Sequence, residues 1–163
     1  MPQFKSVADL CSYLQKAVDS ALTNEVFETV KEVEQSTIQE EVYNKYTPQN
    51  YKRRGYDGGL IADENIVIDG NTAKNGILIV KNITPPNPYL NGVSGAKSTT
   101  PEDSTTPYLV EYGVYNPNGY GYDYWKKPRK RPFVARTIDE LQTSGACKVA
   151  LKNGLKRQGI TVR

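Results

Sequence analysis

No histidine occurs among the 163 residues. The commonest general base, the commonest metal ligand and every Ser-His-Asp or Cys-His arrangement are therefore missing. Carboxylates, two thiols, lysines and twelve tyrosines are what remain. Asp57, Asp63, Glu64 and Asp69 could hold calcium by type, but their spacing misses the EF-hand pattern and no terminal glutamate completes it. Turn chemistry accounts for these acids more simply. Glu40-Glu41 falls on a solvated helix face and Glu102-Asp103 in a loop rich in Pro, Ser and Thr, so neither pair makes an acid–base dyad. Gly119-Tyr120-Gly121 lacks the third glycine and the following helix of a dinucleotide fingerprint, and Gly55 to Gly59 lacks the Lys-Ser/Thr of a phosphate loop. Cys11 and Cys147 match no metal-ligand spacing and read as small buried hydrophobes in a chain made in a reducing cytosol. The expectation is a protein without catalysis, cofactor or metal.

One constellation stands out. Lys126-Lys127-Pro128-Arg129-Lys130-Arg131 follows directly on Tyr120, Tyr122, Tyr124 and Trp125. Basic side chains neutralise phosphates and aromatics stack on bases, so DNA contact is one reading. No recognised nucleic-acid motif surrounds the run, and Pro128 and Pro132 stiffen it. A contact with an acidic neighbouring subunit explains the same residues. Charge distribution favours that alternative: residues 1–50 hold four lysines against eight acids, a net −4, which leaves +7 for the rest of a +3 chain. Such polarity suits head-to-tail packing of copies, or a polyanion. Tyrosine couples contact area to a polar tip, which enriches it at interfaces. The interface candidates are Arg53, Arg54, Tyr120, Tyr122, Trp125, Lys126, Lys127, Arg129, Lys130 and Arg131.

The elements that must position these residues are legible in outline. The length fits a single domain over 1–163. Ser6 or Asp9 can cap a helix in which Val7, Leu10, Cys11, Leu14, Ala17, Val18, Ala21 and Leu22 form one apolar stripe. Val26, Val30, Val33, Thr37, Ile38 and Val42 continue the pattern, so 7–45 reads as helical, straight or kinked near Asn24. Residues 46–134 read as a β-rich region. Asn65 to Asp69 and Gly76 to Ile83 suggest a hairpin, Tyr108 to Tyr115 a third strand, and 84–107 a long flexible loop. Thr137 and Glu140 form a capping box for a closing helix that ends at Asn153, with Gly154 as its C′ glycine and Ile160 to Val162 as a terminal strand. The fold class is α+β: a long N-terminal helix, a small antiparallel sheet with long loops, and one C-terminal helix packed on the sheet. No apolar run is long enough to span a bilayer, so no membrane is expected and the sequon Asn82-Ile83-Thr84 is read as accidental.

Two passages carry a family resemblance. Val42 to Arg54 with Gly58-Gly59-Leu60, and Arg131-Pro132-Phe133 with Thr137 to Leu141 and Leu151 to Ile160, resemble segments of siphophage tail-completion (head–tail joining) proteins encoded by phages of Gram-positive bacteria. They cover about a third of the chain, and none is a catalytic signature. The resemblance implies a structural subunit of the virion neck, assembled in the host cytoplasm. It implies a ring, typically a hexamer, between the head connector or adaptor and the tail terminator or tail tube. The long loop from Ile83 to Pro107 departs from compact members, which leaves room for a tail terminator or minor head protein. A nucleic-acid-binding accessory protein is the reading from a different class.

Overall fold

A computed structural model describes residues 4–45, 47, 54–85, 107, 110–111 and 130–162. Helix α1 (Val7–Ala21) starts at Ser6, whose backbone is extended and whose hydroxyl accepts the Asp9 N–H at 3.1 Å. This satisfies one of the donors a helix leaves orphaned at its N-terminus. No break follows at Asn24. Leu22–Val26 wind as a π-helical segment, α2 (Phe27–Ile38) continues, and a second π segment, Gln39–Tyr43, closes the run. The local sequence supports the first wider turn. Thr23 Oγ1 donates to the Asp19 carbonyl at 2.8 Å, and Asn24 Nδ2 donates to that of Ser20 at 2.7 Å. Such back-bonding engages carbonyls that a loosened ladder exposes.

The hairpin expected from the two β-rich runs forms. A 3₁₀ turn (Asp63–Asn65) leads into β1 (Ile66–Ile68), which pairs antiparallel with β2 (Val80–Asn82) in the register Ile66 to Asn82 and Ile68 to Val80. Its connection is long because it turns twice. Gly70 and Asn71 take positive φ at the first turn, and Asn75 and Gly76 at the second. The tip docks on the long helix: Ala73 N–H donates to Thr23 Oγ1 at 3.0 Å and Gly76 N–H to Asp19 Oδ1 at 2.8 Å.

The C-terminal region is two helices, α3 (Phe133–Ser144) and α4 (Ala146–Arg157), separated by Gly145 at φ 65°. They pack on the long helix, α3 on α2 and α4 on α1 with the first π segment, and the sheet is not their main support. The α+β class stands, but several boundaries need correction. The closing helix does not begin at Thr137. It begins at Phe133, because the carboxylate of Glu111 accepts the Val134 and Ala135 N–H groups at 2.8 and 3.2 Å and so replaces a local cap. Thr137 is buried inside α3, its hydroxyl 2.5 Å from that of Thr37 on α2. Nor does Gly154 end the helix. It lies inside α4 against Ala21, where a Cβ would come within 2.6 Å of the Ala21 Cβ, and the left-handed stop falls at Gly159, φ 80°. Ile160 is not in a strand: its N–H returns to the Leu155 carbonyl at 3.0 Å and its side chain packs beside α1. Of the expected third strand, Val110 and Glu111 are helical and the rest lies outside the described residues, as does most of 84–107.

Two apolar clusters hold these pieces together. Ile38 and Val42 meet Leu60, Ile61 and Phe133, with Tyr43 and Val110 at the margin. Ala17 and Ala21 meet Leu155, flanked by Val18, Leu151 and Ile160. Small residues at the second contact let α1 and α4 approach closely. The stripe of α1 is only partly covered, however: Val7, Leu10 and Leu14 remain exposed, Val7 at 77%. Cys11 is also exposed and Cys147 half-buried, so the expectation of two buried thiols is not met.

Candidate interaction surface

Helix α2 and helix α3 lie side by side, joined below by the Thr37–Thr137 contact, and leave a groove of about 630 Å³ above it. Glu32, Glu40 and Glu41 line one wall and Asp139 and Glu140 the other, with Arg136 the single cation among the described residues. Arg136 faces Glu41 at 3.7 Å, and Glu41 also pairs with Lys45. Glu32, Glu40, Asp139 and Glu140 are exposed and make no ion pair among the described residues. The groove is thus strongly acidic in a chain of net charge +3.

Part of the expected charge polarity is satisfied within one chain. Arg157 of α4 binds Glu25 of the first π segment through Nε at 2.5 Å and Nη2 at 3.4 Å. The long acidic helix and the basic helix α4 therefore meet within one chain at this pair, so the acidic and basic regions are not wholly separate. Such partly exposed pairs contribute little stability, about 0–1 kcal/mol.

The sequence candidates fall unevenly. Lys130 is exposed beside the start of α3. Arg131 is half-buried, and its N–H donates to the Val110 carbonyl at 3.1 Å. Arg54 ties the connector to the chain after β2, donating from Nη2 to the Pro85 carbonyl at 2.6 Å. Arg53, Tyr120, Tyr122, Trp125, Lys126, Lys127 and Arg129 lie outside the described residues. The acids weighed as calcium ligands have separate partners: Asp63 accepts from Gln35 Nε2 at 2.6 Å, Glu64 from the Gly58 N–H at 3.2 Å, and Asp69 pairs with Lys81 at 3.0 Å.

A buried polar knot went unnoticed in the sequence. Glu34 of α2 is 8% exposed and accepts from Asn82 Nδ2 at 3.0 Å. Asn82 Nδ2 also donates to the Leu60 carbonyl at 2.9 Å, while Asn82 Oδ1 accepts from Thr84 Oγ1 at 2.5 Å. Burial pushes the Glu34 carboxyl above its ordinary pKa, against the opposing pull of the Asn82 hydrogen bond. Asn82 and Thr84 are the ends of the sequon, and their polarity serves this knot.

The YomN family model matches residues 6–157. The chain belongs to the YomN family. The match takes in the long helix, the hairpin and both C-terminal helices, so the groove is built within the YomN unit. The YomN name is phage-derived, which makes this a phage-associated protein. No curated protein and no solved structure matches this YomN chain. Among the described residues, no helix is long and apolar enough to cross a membrane.

Proposed function

We propose that this YomN protein is a structural subunit of the virion neck, a tail-completion protein that joins the head connector to the tail as an oligomeric ring. The observation that carries the reading is a helical body with an acidic groove, four of whose acids make no ion pair among the described residues, beside a C-terminal region dense in cations. Ring subunits need two different patches that meet between copies, and opposite charges on separate faces supply them. The resemblance of Val42 to Leu60 and of Arg131 to Ile160 to head–tail joining proteins supports the same role, as does the phage-derived family.

Phage particles lacking the protein, imaged by negative stain, test it. Separate filled heads and finished tails are expected; normally joined particles would remove the reading. Reversing Arg129, Lys130 and Arg131 to glutamate is expected to block joining while the purified chain keeps its helical circular dichroism. A nucleic-acid accessory role is the second reading, favoured by the basic run after Tyr120, Tyr122 and Trp125. Its mark is a mobility shift of DNA that weakens steeply with salt.

A further inference from the structure

Helix α4 has an outer face that no described residue covers. Lys148, Lys152 and Lys156 recur at i, i+4 and i+8, which sets them in one row roughly 12 Å long at about 1.5 Å rise per residue. The other side of α4, Ala150, Gly154 and Leu155, is buried, so the row faces out, with Lys148 and Lys156 exposed and Lys152 half-exposed. The helix holds no acid, and none of the three lysines makes an ion pair among the described residues.

The acidic groove has the same repeat. Glu32, Ser36 and Glu40 line one wall at i, i+4 and i+8, so carboxylates stand eight residues apart, as Lys148 and Lys156 do. Asp139 and Glu140 face them from α3. We propose that the lysine row of α4 in one copy docks in the α2–α3 groove of a second copy, as a head-to-tail contact. The proposal deepens the ring reading and rests on it. A polyanion would also meet the lysines, but it would leave unmatched the four groove acids that make no ion pair among the described residues, and would be repelled by them. A second copy accounts for both surfaces at once. Because row and groove are different patches, repeating the contact closes a ring or extends a filament.

Charge reversal separates the possibilities. One full-length variant carries K148E, K152E and K156E, and another carries E32K, E40K and E140K. Native mass spectrometry or sedimentation is read at about 50 mM and about 500 mM salt, a range that shortens screening severalfold. The wild type should associate at low salt and dissociate at high salt. Each variant alone should associate at least about tenfold more weakly, and an equimolar mixture of the two should recover association, since reversed rows then face reversed grooves. If the row variant loses its helical dichroism, K148Q, K152Q and K156Q together must show the same direction of change. A wild type monomeric at low salt, association indifferent to either reversal, or a mixture that stays dissociated would each overturn the contact. So would a short DNA duplex bound by a monomeric wild type and released by the row variant. Particles that need the protein for joining yet tolerate both variants would reject this contact alone, whereas particles that join without the protein reject the ring reading itself.

Discussion

At the scale of single residues, one side chain that is hard to replace is an absent one. Alanine in place of glycine inside an exposed helix gains up to about 1 kcal/mol from propensity. At Gly154 the added Cβ would sit 2.6 Å from both the Ala21 Cβ and a Glu25 carboxylate oxygen, so helix α4 would have to move off α1. Overpacking costs of about 1–3 kcal/mol outweigh the gain, and Gly154→Ala should lower the melting temperature by a few degrees, Gly154→Leu by more. A variant more stable than the wild type would contradict this. Glu34 makes a second case. Its folded pKa lies above the unfolded one, so below the ordinary value of 4.5 both states are protonated, and the folded state gains nothing further. As pH rises from there through the folded pKa, the unfolded chain ionises first and stability falls. Glu34→Gln should flatten that part of a stability–pH profile and keep the Asn82 hydrogen bond. Neither role was legible beforehand. Gly154 followed by a cationic turn imitates a helix end, and a glutamate in a run of glutamates looks like one more solvated acid.

At the scale of elements, periodicity made the long helix readable and left its ends to distant partners. Ser6 and the apolar stripe were sufficient for α1, and the hairpin followed from two β-rich runs around Gly70 and Asn71. The start of α3 was misplaced because its cap, Glu111, lies more than twenty residues upstream and no local pattern announces it. Glu111→Ala should therefore destabilise the fold by about 1–2 kcal/mol, through two lost caps and the lost charge at a helix N-terminus. Loss of protection in the first turn of α3 by hydrogen exchange is the measurement. The hairpin tip has a comparable anchor. Thr23→Val removes the acceptor of the Ala73 N–H, a residue only 5% exposed, and leaving that donor unpaired costs about 1–3 kcal/mol. Faster exchange at the Ala73 amide, with α2 unchanged, is expected.

At the scale of the whole molecule, composition foresaw the separation of charge but not its geometry. A charge count by region does not show that folding brings Arg157 to Glu25 and Arg136 to Glu41. Only a packed structure shows which charges are left over: a row on α4 and a groove between α2 and α3. The two wide turns of the long helix bear on the same geometry. Each accommodates a residue that a regular α-helix would not, and a residue of α-helix corresponds to about 100° of rotation. If the same five residues of Leu22–Val26 wound as a regular spiral instead, everything beyond them would swing by about that angle. Ala17 and Ala21 would still greet Leu155, but Ile38 and Val42 would turn away from Leu60, Ile61 and Phe133. Deleting one position within Leu22–Val26 removes the residue that the wide turn absorbs and should leave both clusters in place, so the winding of five residues decides whether both halves of the protein look in the right direction.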